Sequence, residues 1–408
     1  MRDKGLLAAL LVLSLLPGPA RAASAPVRVG FLTVKSGALA AGGRQMEEGL
    51  TLFLKQRNHV IAGRKVELFV ADTGGQPAMT RTKAQELVER NAVQVIIGPL
   101  AAFEALAIDG YIRQAEIPVI SPSAAAEDLT QRKPNPWFVR AVGTSAQPSH
   151  ALGEYAAKEL KYKRVAMIAD DFAFGHELSA GFQRTFEESG GKVVQKLWSP
   201  LNVADYGSYV AQIRKDVDAV FAGFAGANGM RFLKQYAEYG LKIPVLGGMT
   251  TVDEGILKNM GDEAVGVVSA GWYAATSKAP GNAPFVKAVN AEYDADPGYY
   301  TVGAYDAALF LEQAMNAVGG KIEDKKAFMA ALRKVRLSEG PLGAVSLDDL
   351  GNPVMDIYVR KVERVNGRLR NTVLKTYPAV SQFWKVPPKE FLAAPVYSRD
   401  YPPAKNLE

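Results

Sequence analysis

The feature that most constrains this chain is that it repeats itself. Four strand-like segments of its first part return in the same order in its second: Val27–Leu32 with Arg164–Ile168, Gly63–Val70 with Gly191–Leu197, Val93–Gly98 with Val217–Gly223, and Ile117–Ile120 with Ile243–Leu246. The last three pairs keep a spacing of about 126 residues, which unrelated Val-rich segments have no reason to maintain. Between them lie amphipathic stretches with apolar residues at helical spacing, at 46–57, 77–90, 177–188 and 228–239. Short apolar strands alternating with such helices pack as parallel sheets covered on both faces. The expected fold is therefore α/β: two Rossmann-like lobes, each with a doubly wound parallel sheet, joined by a hinge of three strands.

The remainder of the chain distributes itself over this frame. Helical segments at 283–293, 301–318 and 325–335 are followed by strands at 355–365 and 368–377, joined by Asn366-Gly367. That dipeptide favours a type I′ hairpin turn, because both positions need positive φ. Crossings between lobes are expected near 141–144, 271–275 and 340–345. Lobe 1 would then comprise residues 26–142 and 274–342, and lobe 2 residues 143–273 and 343–377. The last stretch, 378–408, is rich in Pro and aromatics without a period, and reads as an irregular strap on one lobe.

At the N-terminus, a charged start is followed by an apolar run from Gly5 to Leu16, a Pro-Gly-Pro break and Ala20-Arg21-Ala22. The run is too short to span a bilayer, and the small-x-small pattern is that of a cleaved export signal over residues 1–22. No cysteine occurs, so the export site carries no lipid-attachment residue and no disulfide is available. A soluble periplasmic protein is expected. Its charge of +6 falls to +4 once Arg2, Lys4 and Arg21 leave together with Asp3. Basic residues are scattered among acidic ones without aromatic interleaving, which argues against nucleic acid as a partner.

Catalytic constellations are nearly absent. With no Cys and only His59, His150 and His176, a Cys–His pair is excluded and a His-rich metal site disfavoured. Neither a Gly-x-Ser-x-Gly elbow nor a phosphate-binding Gly-rich loop occurs in the required setting. The Asp170-Asp171 pair suits helix capping or backbone binding better than acid–base chemistry, and solvated or capping roles are expected for the three histidines. The expected role is ligand capture, without enzymatic activity, cofactor or metal. A signalling receptor module of the same fold and an α/β hydrolase are the competing readings.

Ligands of open parallel sheets bind beyond the carboxyl ends of the strands, where loops and helix N-termini offer unpaired amides. Those loops lie at 33–43, 72–76, 98–103, 121–126, 170–175, 223–228 and 247–253. They would bring Phe103, Phe174, Phe224 and Met249 together with Ser121, Ser123, Thr250 and Thr251. Taken singly, each is more readily explained as a cap or a core residue; their clustering on matching loops favours a cleft.

Val29-Gly-Phe-Leu with Ser36-Gly37, Gly98-Pro-Leu, Ile117-Pro-Val-Ile-Ser-Pro-Ser123, Asp171-Phe-Ala-Phe-Gly175, and Gly340-Pro-Leu-Gly343 before Asn352-Pro353 together carry a resemblance. In order and spacing the chain, from Val27 to about Tyr377, resembles type I periplasmic solute-binding proteins of ABC importers, the leucine/isoleucine/valine-binding family in particular. The resemblance implies a passive receptor, expected to be a monomer, that closes on a small carboxylate-bearing ligand and delivers it to a permease in the inner membrane. It also implies carboxylate recognition at Ala102, Ser123 and Ala125, and an aromatic wall at Phe174 and Phe224. The family's loop tyrosine is matched here by Gly42, and bulky Phe103 stands near the carboxylate site. Where amino-acid binders place a carboxylate for the ligand's ammonium group, this chain has Met249. An ammonium buried without a partner is costly, so unless Asp253 or Glu254 takes over, an aromatic or other hydrophobic acid is the expected ligand.

Overall fold

A computed structural model describes residues 25–408; the expected export signal lies outside them. The first sheet contains β1 (Val27–Thr33), β2 (Val60–Ile61), β3 (Arg64–Asp72), β4 (Val95–Ile97), β5 (Val119–Ser121) and β6 (Phe138–Arg140), in the order β2-β3-β1-β4-β5-β6. The second begins with β7 (Arg164–Asp170), β8 (Lys192–Ser199), β9 (Ala219–Gly223), β10 (Val245–Gly247) and β11 (Val268–Gly271). Its parallel part runs β8-β7-β9-β10-β11, the same path as β3-β1-β4-β5-β6. The duplication in sequence is thus a duplication of topology. Strands such as β4 and β9 are apolar and buried along their whole length, as parallel strands covered by helices on both faces must be.

Four later strands widen the second sheet: β12 (Arg336–Gly340), β13 (Gly343–Leu347), β14 (Pro353–Val365) and β15 (Arg368–Val380). β14 runs antiparallel to β11 and carries β15 on a hairpin. Asn366 and Gly367 have φ of 51° and 80°, the two positive values that a type I′ turn requires. Near 340–345, where a crossing between lobes is expected, the chain forms a β12–β13 ladder that continues into β14.

The chain leaves the first sheet after Arg140, builds the second up to Gly271, then returns as the helices Asn282–Tyr293 and Tyr299–Ala317. The latter packs along Ala40–Gln56 of the first lobe. One continuous core joins the two sheets, from Val29 and Ile96 to Phe182 and Phe221. A second core, on the other face of the second sheet, centres on Tyr206, Phe224 and Phe232. The terminal strap is ordered. Phe383, Phe391 and Tyr397 form a small core against Ala146 and Ala180 of the second lobe's helices, while Arg132 from the first lobe donates to the carbonyls of Phe391, Ala394 and Pro395.

Candidate functional site

At the carboxyl ends of both parallel sheets the lobes meet around a small cavity of about 20 Å³, room for about one water molecule. Its wall combines Leu39, Leu100, Ala101, Ala102, Ser123 and Ala125 with Phe172, Phe174 and Ala225 of the second lobe, and with Tyr299 and Tyr300. Each lies just beyond a strand or at the start of a helix, where topology leaves backbone groups unpaired.

The first-lobe wall is built around a helix N-terminus. Ala102 opens the helix Ala102–Ala115, so the amides of Ala102 and Phe103 have no carbonyl within the helix to bond. Ala101 N–H donates to Glu104 Oε2 at 2.8 Å, and the buried Glu104 carboxylate is held in turn by the hydroxyls of Thr73 and Thr80. Ser123 Oγ donates to the carbonyl of Leu100 (2.8 Å), tying the two loops together, and Tyr299 Oη donates to the carbonyl of Ser123 (2.8 Å). The Ala125 amide donates to no acceptor within the described residues.

The second-lobe wall is aromatic. Phe172 and Phe174 stack with centroids 5.9 Å apart, and the edge of Phe103, from the opposite lobe, meets Phe172 at 5.5 Å. Behind them, the buried Asp170 accepts from Ala225 N–H (2.8 Å) and Asn228 Nδ2 (2.7 Å), fixing the loop after β9 to the end of β7. Burial pushes its carboxyl up to about 7. Asp171, at the surface, pairs with His176 and Arg399.

Of the ten residues singled out in the sequence, Ala102, Ser123, Ala125 and Phe174 lie on the cavity wall, whereas Thr251 donates to the carbonyl of Ala222 (2.7 Å). Phe103 packs beside it. Ser121, at the end of β5, donates to the carbonyl of Ala124 (3.2 Å). Phe224 is buried in the second core against Tyr206 and Phe232, and Thr250 donates to its carbonyl (2.7 Å). Met249 is 1 % exposed, and its carbonyl accepts from Arg360 Nη2 (2.6 Å). His150 is fully buried rather than solvated: it bonds Tyr397 of the strap at 2.9 Å, and burial depresses it to about 3.

Wall residues not singled out include Phe172, two positions before Phe174 in the same motif, and Tyr299–Tyr300. The tyrosines open a helix outside the duplicated halves, so a search confined to matching strand ends passes them by. Tyr300 explains Gly42: a Cβ on Gly42 would come within 2.9 Å of the Tyr300 ring. The tyrosine enters the site from another element, and the glycine makes room for it.

Neither carboxylate considered as a substitute ammonium partner reaches the wall. Asp253 accepts from the amides of Tyr299 (2.5 Å) and Gly255 (3.0 Å). Glu254 pairs with the buried Arg360 at 3.3 Å and accepts from Ala275 N–H at 3.1 Å. Burial raises both, Glu254 to about 7. No Asp or Glu side chain belongs to the described residues lining the cavity.

Two α/β lobes closing on a site at their strand ends define a solute-binding protein, and the chain belongs to the periplasmic binding protein family, whose pattern it matches over residues 26–368. Its relatives and fold are those of the solute-binding components of ABC transporters. Among them, a Leu/Ile/Val-binding protein homolog from Brucella melitensis is 28% identical over 86% of this chain and 91% of its own length. A solute-binding protein from Rhodopseudomonas palustris BisB5, in complex with 3,4-dihydroxybenzoic acid, superimposes with a TM-score of 0.84 at 33% identity, over 88% of this chain and 98% of its own. Another from R. palustris, in complex with benzoate, gives 0.83 at 27% identity, over 87% and 98%.

Proposed function

We propose that this protein is the periplasmic receptor of an ABC importer for an aromatic carboxylic acid of the benzoate class, captured between its lobes and handed to an inner-membrane permease. The observation that carries this reading is the character of the wall: aromatic rings, small side chains and amides around a helix N-terminus, with no carboxylate lining it among the described residues and Asp170, Asp253 and Glu254 behind it engaged elsewhere. An amino acid's carboxylate would be met here, but its ammonium group would be buried without a partner, at a cost of several kcal/mol. An aromatic acid has no such group, and its ring suits Phe172, Phe174 and Tyr300. The complexes of the R. palustris relatives with 3,4-dihydroxybenzoic acid and benzoate support the same class. A benzoate-sized ligand exceeds the cavity, so the lobes must part to admit it and re-close around it. In this reading the mature protein is a monomer, freed of residues 1–22.

Thermal unfolding of the purified protein tests the proposal. Benzoate or a hydroxybenzoate at 100 times its Kd should add about 2.7 kcal/mol of stability, whereas leucine, isoleucine and valine should leave the midpoint unchanged. Stabilisation by the branched-chain amino acids alone would overturn the assignment.

A further inference from the structure

Two residues beyond Ala125 and one helical turn beyond Phe174, the lobes make a second contact that is neither apolar nor a salt bridge. Glu127, in the short helix Glu127–Thr130 of the first lobe, donates its backbone N–H to Oε1 of Glu177 at 3.2 Å. Glu177 belongs to the second lobe's helix Ala173–Glu188, the helix that also carries Phe174. Glu127 is fully buried and Glu177 is 5 % exposed. Thr144, Ser145 and Ala146, at the crossing between lobes, lie alongside, yet neither carboxylate oxygen of Glu127 nor Oε2 of Glu177 meets a donor in hydrogen-bond geometry.

One buried cation faces the pair, and it is engaged elsewhere. The Arg140 guanidinium, at the end of β6, donates to Thr130 Oγ1 at 3.1 Å and to the carbonyls of Ala124 and Ala126. Its charge acts on both carboxyls, and Arg132 acts on Glu127 from further out. The remaining neighbours are Asp348 and Tyr299 beside Arg140 and the strap's Tyr397 beside Glu127. Two buried carboxylates that share one cation and leave three of their four oxygens without a donor favour retaining a proton.

We propose that Glu127 and Glu177 form a proton-dependent latch: closing the cleft brings the two carboxyls together and takes up a proton, so Glu177 is a positioning residue through which pH sets the hold of the Ala125 loop on its ligand. The proposal rests on the cleft being the ligand site. Burial is the main force on both carboxyls in the closed form, pushing Glu127 from 4.5 up to about 7 and Glu177 well above its ordinary value, the Glu127 charge adding to the latter. When the lobes part, both are wetted and return toward ordinary carboxylate behaviour. The closed form is therefore favoured at low pH, and this bias is lost as pH rises through neutrality.

The test is the pH dependence of benzoate affinity by titration calorimetry, with the ligand ionised throughout because carboxylic acids titrate near pH 4. Between about pH 6 and pH 8, Kd should rise at least ~10-fold, and binding near pH 6 should take up about one proton across buffers of different ionisation enthalpy. Glu177→Gln keeps the acceptor for the Glu127 amide but removes the shared charge. With Glu127→Gln added, so that neither position can ionise, Kd should move less than ~3-fold over that range, and each single variant should lie between this protein and wild type. A wild-type Kd that is flat with pH, or a Glu127→Gln/Glu177→Gln protein as pH-sensitive as wild type, overturns the latch. If benzoate binds at neither pH, the functional reading fails instead, and the latch is judged on the free protein by small-angle scattering. Contraction on acidification in wild type, absent in Glu127→Gln/Glu177→Gln, upholds it; no difference between the two proteins overturns it.

Discussion

At the scale of single residues, the site is shaped as much by what is missing as by what is present. Gly42 is a clear instance, since the Tyr300 ring occupies the space that a side chain there would need. Gly42→Ala should drive the ring toward the cavity or force the helix Ala40–Gln56 away, at roughly 1–3 kcal/mol for an overpacked position. Shared between stability and closure, that cost predicts a Kd for the aromatic acid raised about 10-fold, measurable by fluorescence or calorimetry. Pairing it with Tyr300→Leu should recover part of the loss. A Gly42→Ala protein with wild-type affinity would place the Tyr300 ring outside the binding path. Residue identity alone carried less than half of this wall. Ser123 and Phe174 were legible because each sits where a strand end meets a helix start, and Ala102 and Ala125 through the resemblance to solute-binding proteins. Phe224 and Met249 occupy similar sequence positions but turn inward, and which way a side chain turns after a short strand depends on packing that a linear pattern does not encode.

Elements were far easier to read than side chains. The parallel strands announced themselves as short apolar runs, and the Asn366-Gly367 hairpin through its turn chemistry, because both signals are local. The strap 378–408 gave no such signal, since its order comes from contacts hundreds of residues away in sequence. Phe391 buries itself between Phe383 and Tyr397, with Arg132 and Arg184 over its ring. His150, neutral through burial, pairs with Tyr397 Oη, to which Arg184 also donates. Removing the Phe391 ring should therefore cost about 3–5 kcal/mol in a denaturant titration. Tyr397→Phe leaves His150 Nε2 without its partner and should cost about 1–3 kcal/mol. Both variants should keep Kd within a few-fold of wild type, because no strap residue is among the described residues lining the cavity. A strap variant that lost affinity but not stability would show instead that the strap governs closure.

For the whole molecule, the duplication sets the design: two copies of one strand order face each other, and a third set of elements, helices 282–332 and strands 336–380, fastens them together. Because a single apolar core runs from one sheet to the other, the lobes should unfold in one cooperative transition rather than two. Buried acid groups accompany that core, and on one of them no cation among the described residues acts. Asp306, on the helix Tyr299–Ala317, is fully buried with both oxygens unbonded among the described residues, and burial raises it well above 3.8. Asp170 is raised to about 7 by the same cause. Groups raised on folding add stability that is complete below the carboxyl's unfolded value and is lost as pH rises through the folded value. Stability should accordingly decline between about pH 5 and pH 8, by about 1.4 kcal/mol per pH unit for each proton the native state retains and the unfolded chain releases. Asp306→Asn, which cannot ionise, should flatten that decline, leaving the midpoint near pH 5 little changed and raising it near pH 8. If urea titrations gave wild type and Asp306→Asn the same pH profile, Asp306 would be exchanging its proton with solvent as an ordinary carboxyl, and the buried position of its helix face would have to be revised.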